Sequence, residues 1–263
     1  MTLRQTLTFW RRPASPLVSA RHPTLTWPGA IYAIGDVHGR LDLLEDAQRR
    51  IAADAASVPG EKYIVMLGDY VDRGPASAGV LDALVGAPAL PFKRICLMGN
   101  HEAMMLAGLS QPGAEDLWLA NGGDTTLRSY GLDPALLSDN GRRAHLQTVR
   151  ARIPEEHIEF LQHLPLSLRI EDEVILCHSG VVDRKGIEAT DEADLLWARP
   201  TAERDADADG PLVIHGHTPV DSPLVTPRRI NIDTGACMTG LLTVVRLVRG
   251  QPAFILPQTS LQN

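Results

Sequence analysis

The sequence predicts an α/β fold, a four-layer αββα sandwich of two mixed β-sheets flanked by helices, with a helical cap insertion. Three observations lead there. Between residues 30 and 98 short apolar runs alternate with stretches of helical spacing; residues 110–164 read as helix with no convincing strand; from residue 166 onward short strands return, separated by turn residues. The first pattern calls for parallel strands joined by right-handed crossovers, and the last for a second, partly antiparallel sheet rich in hairpins. Two sheets that each need cover on an outer face make the sandwich.

Residues 1–29 carry four prolines and no period, which reads as an irregular N-terminal arm. Order is expected to begin with a strand at 30–34, stopped by Gly35. Residues 41–56 place Leu41, Leu44, Ala47 and Ile51 at helical spacing with charges between them. A strand at 63–67, a helix at 76–85, a strand at 94–98 and a helix opening at Asn100 or His101 follow. Helices at 114–127, 140–152 and 154–164 form the cap, an insertion covering about 110–164. The remaining strands, at 166–170, 174–177, 212–215, 229–232, 241–248 and 253–256, are assigned to the second sheet, and residues 202–209 read as an acidic loop. With 263 residues, the chain from 30 to 263 is at the upper edge of what one core supports, so one domain is expected.

Hydrophobic residues make up 44% and charged residues 22%, ordinary globular usage that sets disorder and fibrous classes aside. The formal net charge is -7 with basic residues only in scattered pairs such as Arg142-Arg143, so a nucleic-acid partner is excluded: neutralising phosphates needs clustered positive charge. The three cysteines, Cys96, Cys177 and Cys237, sit in or beside apolar segments and read as buried reduced thiols of a cytoplasmic protein. Arg11-Arg12 lacks the apolar stretch of an export signal, and no apolar run is long enough for a membrane span.

The chemistry lies at the strand ends. Residues 30–34 run into Gly35-Asp36-Val37-His38-Gly39, 63–67 into Gly68-Asp69-Tyr70-Val71-Asp72-Arg73-Gly74, and 94–98 into Gly99-Asn100-His101-Glu102. Two later strands end in Cys177-His178-Ser179-Gly180 and His215-Gly216-His217-Thr218. One such ending is an ordinary turn or helix cap, and Asp36 suits the helix start near Leu41. Five together mark a binding edge, because open sheets bind ligands beyond the carboxyl ends of their strands. His215 reads as a satisfied histidine outside the ligand set.

Hard oxygens mixed with neutral imidazoles and an amide suit manganese, iron or zinc, whereas calcium takes oxygen alone. Cysteine is absent from these motifs, so a structural zinc cage is not expected. Asp36, His38, Asp69, Asn100, His178 and His217 exceed the needs of one ion and supply two divalent ions if one carboxylate bridges. Paired ions clamp the oxygens of an in-line phosphoryl displacement and generate hydroxide near neutral pH. Hydrolysis of a phosphate ester by direct attack of a metal-bridging hydroxide is therefore the expected chemistry. Arg73 can neutralise phosphate oxygens with a fork that lysine lacks. His101 is free to protonate the leaving oxygen, with Asp72 holding its tautomer and charge.

The motifs Gly-Asp-Val-His-Gly, Gly-Asp-Tyr-Val-Asp-Arg-Gly and Gly-Asn-His-Glu, in this order, resemble the signature of the phosphoprotein phosphatase family of calcineurin-like metallophosphoesterases. The likeness runs from Ile31 to about Ala236 and is nearest to small bacterial serine/threonine phosphatases and bacteriophage lambda phosphatase. The resemblance implies that Asp36 and His38 bind one metal, that Asp69 bridges, and that Asn100, His178 and His217 bind the other, manganese being the expected ion. It implies that His101 is the general acid paired with Asp72, and that Arg73, Arg199 and Asn100 contact the substrate phosphate, Arg199 being the arginine after the Leu196-Trp197 step. Asn121 of the cap reads equally as a substrate contact and as a helix C-cap. No counterpart of the docking extensions of eukaryotic members exists here, so no regulatory subunit follows. The expected substrates are phosphorylated proteins or small phosphoesters. Symmetrical dinucleoside tetraphosphate hydrolases form a second reading, but their second motif usually lacks the aspartate matching Asp72. A third reading, a metal-stabilised scaffold without catalysis, is disfavoured by the complete residue set.

Overall fold

The computed structural model describes residues 21–88, 91–137, 142–181, 190–199 and 210–256. Its first sheet is built on β2 (Ala30–Ile34), β3 (Lys62–Met66) and β4 (Lys93–Cys96), all parallel, with Ile31 opposite Tyr63 and Tyr63 opposite Lys93. The crossovers are α1 (Leu41–Ala55) and α2 (Ser77–Val85). Alternation along β2 explains the layering: Tyr32 and Ile34 join Leu44, Ala47 and Ile51 of α1 in an outer core, while Ile31 and Ala33 face the other way. There they meet Val65 and Leu97 of their own sheet and Leu168, Leu176, Ile214 and Ile230 of the second sheet. Two sheets therefore pack face to face over one apolar layer, with helices on the outside.

The second sheet contains β1 (Thr24–Leu25), β5 (Ser167–Ile170), β6 (Val174–Cys177), β7 (Leu212–His215), β8 (Leu224–Val225) and β9 (Arg229–Asn231), in the order β1-β5-β6-β7-β9-β8. The β5–β6 and β8–β9 pairs are antiparallel and the other three are parallel. Two expectations are corrected here. β10 (Val244–Leu247) and β11 (Phe254–Ile255) belong to the first sheet, in the order β11-β10-β2-β3-β4, with β10 antiparallel to β2. Val244 enters the outer core while Val245 and Leu247 enter the inter-sheet core, so β10 covers the β2 edge with apolar side chains on both faces. A hairpin pattern in sequence does not say which sheet edge it joins. Order also begins before residue 30, because β1 pairs in parallel with β5 and Leu25 is buried in the inter-sheet core. Residues 1–20 of the arm and the acidic stretch 202–209 lie outside the described residues.

Between β4 and β5 the described residues contain α3 (Asn100–Gly108), α4 (Glu115–Trp118), a π-helical turn at Leu119–Gly123, α5 (Asp124–Ser129), a 3-10 turn at Pro134–Leu137, α6 (Arg142–Arg150) and α7 (Glu155–Gln162), and no strand. A polar strut ties these helices to α2: the Tyr130 hydroxyl meets His157 Nδ1 at 2.7 Å, and His157 Nε2 meets Asp82 Oδ1 at 3.1 Å. Two short helices complete the fold, α8 (Glu192–Trp197) and α9 (Ala236–Thr239). Among the described residues no helix is long and apolar enough to cross a membrane. All three cysteines are free; Cys96 and Cys177 are buried, and burial pushes their thiols up to about 11 and about 12, whereas Cys237, expected to be buried, is only half-buried on α9.

Candidate active site

The strand-end loops interlock before any side chain is considered. Val37 N and His38 N, after β2, both donate to Asp69 O, after β3, at 3.0 and 2.8 Å. Gly216 N, after β7, donates to His178 O, after β6, at 2.7 Å, and His217 N donates to Asp36 Oδ2 at 3.0 Å, joining the two sheets. Six non-glycine residues among those described have positive φ, and five of them are predicted site residues: His38 (43°), Asp69 (53°), Asp72 (71°), Arg73 (68°) and His217 (65°). Each such conformation costs on the order of 1–2 kcal/mol and persists only where surrounding bonds over-determine it. Gly68 and Gly99 let the β3 and β4 loops touch, since a Cβ on Gly68 would fall 2.7 Å from Gly99 Cα.

Glu102 is the clamp between these loops. Its buried carboxylate accepts four backbone N–H groups, from Asp69 (2.8 Å), Tyr70 (2.7 Å), Val71 (3.2 Å) and Gly99 (2.9 Å). The chain turn that presents Asp69, Asp72 and Arg73 is thereby tied to the start of α3. Burial and then the charge of Asp69 push the Glu102 carboxyl up to about 8, against the pull of these donors.

Hydrogen bonds to carbonyls set the histidine tautomers. His38 Nδ1 donates to Val71 O at 2.9 Å, which leaves Nε2 with its lone pair 3.5 Å from Asp69 Oδ2. His178 Nδ1 donates to Leu67 O at 3.0 Å, so His178 Nε2 presents a lone pair to Asn100 Oδ1 at 2.8 Å and to Asp69 Oδ1 at 3.3 Å. His217 Nδ1 lies 3.0 Å from the same Asn100 oxygen. Burial lowers His38 to about 3, and burial with the neighbouring His178 lowers His217 to about 4, so both rings are in the neutral form that binds metals. Burial, which alone would raise Asp69, is outweighed by His178, His101 and His38, and its carboxylate stays ionised.

Two sets of possible ligand atoms lie within 4.8 Å of one another, His38–Asp69–His101 and Asp69–His178–His217, and Asp69 belongs to both. Asp69 shared between the two sets, with imidazole nitrogens of His38, His178 and His217 around it, fits a pair of divalent ions, and the mixture of imidazole, carboxylate and amide suits a borderline metal. Asp36 is placed differently from the expectation that it caps α1: its Oδ2 holds the His217 loop, and its Oδ1 is buried without a partner. Burial and then Asp233 raise the Asp36 carboxyl well above the usual carboxylate range.

The acid side of the site is equally defined. His101 Nδ1 lies 2.7 Å from Asp72 Oδ2, and its Nε2 is 3.9 Å from Asp69 Oδ2. Burial alone would lower His101, but the charge of Asp69 and the bond to Asp72 outweigh it, so His101 is raised above its ordinary value. Asp72 Oδ1 accepts Trp118 Nε1–H at 2.9 Å and the Thr126 hydroxyl at 2.7 Å. The Asp72 N–H is held by Ser77 Oγ and Thr126 Oγ1. Arg73 Nη1 donates to His38 Nε2 at 2.9 Å, and Arg73 N donates to Gly122 O at 3.2 Å. Arg199 is exposed, and its charge helps to lower His217. The Trp197 ring meets the His217 ring edge-on with centroids 6.4 Å apart.

The Asn121 side chain bonds back along its own helix, Nδ2 donating to Leu117 O at 2.8 Å. His215 was expected to be fully satisfied, but only Nδ1 is bonded, to Gly216 O, and Nε2 is buried without a partner. Trp118, Thr126, Ser77 and Asp233 went unrecognised in sequence. Trp118 is fully buried. Asp233 carried a usable signal, a strand-end acid before Thr234-Gly235 that repeats the pattern of the other motifs.

The asymmetrical bis(5'-nucleosyl)-tetraphosphatase PrpE of Bacillus cereus (strain Q1) is 25% identical over 235 residues, covering 81% of this chain and 88% of its own. A candidate diadenosine tetraphosphatase of known structure superposes with a TM-score of 0.62 at 21% identity, over 92% of this chain and 99% of its own. The cold-active protein-tyrosine phosphatase of a psychrophilic Shewanella gives 0.54 at 17%, over 97% and 89%. A Saccharomyces cerevisiae protein serine/threonine phosphatase gives 0.51 at 16%, over 89% and 81%. At such identities these structures speak for the fold alone. The calcineurin-like phosphoesterase family profile, however, matches residues 29–247, which contain every strand end described above, and the chain belongs to that family.

Proposed function

We propose that the protein is a metal-dependent phosphatase that hydrolyses phosphate monoesters, with phosphorylated serine or threonine side chains as its main substrate class and phosphotyrosine as a further one. Asp36, His38 and Asp69 would hold one divalent ion and Asp69, Asn100, His178 and His217 the other, manganese being our assignment. Bound there, the ions would supply Lewis-acid charge against the phosphoryl oxygens and lower the pKa of water. Arg73, Arg199 and Asn100 bind and orient the phosphate. His101 gives its proton from Nε2 to the departing oxygen, and Asp72 keeps it cationic until it does.

The observation that carries this reading is the His101–Asp72 pair, held at 2.7 Å with Trp118 and Thr126 on the second carboxylate oxygen. A serine or threonine alkoxide is a poor leaving group that departs only with a proton, so a buried, charge-supported acid has a use there. A nucleotide polyphosphate leaves as a stabilised anion and needs that proton far less. A second reading, asymmetrical cleavage of dinucleoside tetraphosphates, is favoured by the near full-length likeness to the Bacillus proteins of that name. Rates measured side by side on phosphoserine, phosphothreonine and phosphotyrosine peptides and on diadenosine tetraphosphate decide between them. A kcat/KM higher for a phosphopeptide supports the first reading, and a clear preference for the dinucleotide replaces it with the second.

A further inference from the structure

β9 ends in Asn231-Ile232-Asp233-Thr234-Gly235, and Asp233 is only 2% exposed. Its N–H donates to Asn231 Oδ1 at 3.0 Å, its carbonyl accepts Val220 N–H at 2.9 Å, and its Oδ1 accepts Gly235 N–H at 3.0 Å. Asn231 in turn donates through Nδ2 to Thr218 O at 2.7 Å, immediately after His217. Ile232 presses on the end of β2: a Cβ on Gly35 would fall 2.5 Å from Ile232 O. The residues that follow Gly35 and Ile232, Asp36 and Asp233, therefore leave their strands side by side.

Both carboxylates are incompletely satisfied. Asp36 Oδ1 is buried with no hydrogen-bond partner, while the Asp233 carboxylate takes the Gly235 N–H on Oδ1 and no other described donor. A buried carboxylate oxygen without a donor, with a second carboxylate beside it, is satisfied by a proton or by a cation, and a divalent cation satisfies both carboxylates at once.

We propose that Asp233 is an additional carboxylate of the metal centre, adding its charge to the position that Asp36 and His38 build and raising the affinity of that position for a hard divalent cation. The inference rests on the site holding divalent ions, and it is independent of which phosphoester is cleaved. The test is calorimetric titration of Mn2+ into the chelator-stripped full-length protein and its Asp233→Asn variant, with melting temperatures taken before and after loading. One of the two Mn2+ binding steps should weaken by about tenfold or more while the other keeps its wild-type affinity. The stripped variant should melt above the stripped wild type, because the like-charge pair is gone, and should gain less from Mn2+. Asp233→Ser, which keeps a short acceptor for Gly235 N–H, gives the same readout if the asparagine variant does not fold. Wild-type affinity at both steps in a folded variant overturns the inference, as does a stripped variant that melts lower with unchanged Mn2+ binding. A wild-type protein that binds no Mn2+ overturns the metal reading along with it.

Discussion

Asp72→Asn isolates the proton donor without disturbing its surroundings. Asparagine is nearly isosteric and tolerates the left-handed φ of 71° at this position at least as well as aspartate does. Its amide oxygen can keep the Trp118 and Thr126 bonds that Asp72 Oδ1 accepts at 2.9 and 2.7 Å. What changes is the atom 2.7 Å from His101 Nδ1, which becomes an N–H donor and forces that nitrogen to accept. The charge-assisted bond that is lost is worth roughly 1.5–3 kcal/mol. At about 1.36 kcal/mol per pKa unit, His101 should fall by about one to two units. The sign is set by the native state: His101 is raised above its ordinary value, so its acid form is held to higher pH and is lost as pH rises through the raised pKa. The alkaline limb of the kcat profile on a phosphoserine peptide should therefore move down by about one to two pH units. On that limb, above the shifted pKa, kcat should drop roughly 10- to 100-fold, inside the 10²–10⁴ that general acid catalysis contributes. A limb that stays in place, with bound metal intact, would refute the assignment of Asp72 as the support of a protonated His101.

Other perturbations address the clamp, the phosphate fork and the metals. Glu102→Ala leaves four buried amides without an acceptor and should cost about 4 kcal/mol or more at ~1–3 kcal/mol each, read as the loss of urea stability. Gly122→Ala adds a Cβ 2.9 Å from Arg73 N at a φ of 102°, so it should displace Arg73 and raise KM for phosphoesters several-fold, with bound metal retained. Chelation should abolish turnover, Mn2+ should restore it, and metal analysis of the loaded protein should find about two ions per chain; full activity in metal-free protein would contradict the site.

The fold and site were legible in sequence where local patterns carry them. Each of the parallel strands β2, β3 and β4 is an apolar run stopped by a glycine and followed by acid, amide or imidazole, so elements and candidate ligands could be read from the same residues. Assigning β10 to the first sheet required knowing which edge was open, and that is set by long-range packing of Val244 and Val245 rather than by local pattern. β1 is two residues long, too short for any periodicity to reveal. Trp118 and Thr126 escaped because their value to the site comes from Asp72, 46 and 54 residues earlier in the chain. Spacing along a helix does not show where a buried indole N–H points.

Whether His101 delivers a proton to a poor leaving group is decided by the leaving-group dependence of His101→Asn. The variant should bind metal as the wild type does and lose roughly 10²- to 10⁴-fold in kcat/KM on a phosphoserine peptide. On 4-nitrophenyl phosphate, whose leaving group needs no proton, it should lose less than about tenfold. Equal losses on the two substrates, or near-normal turnover of the phosphopeptide, would contradict the claim.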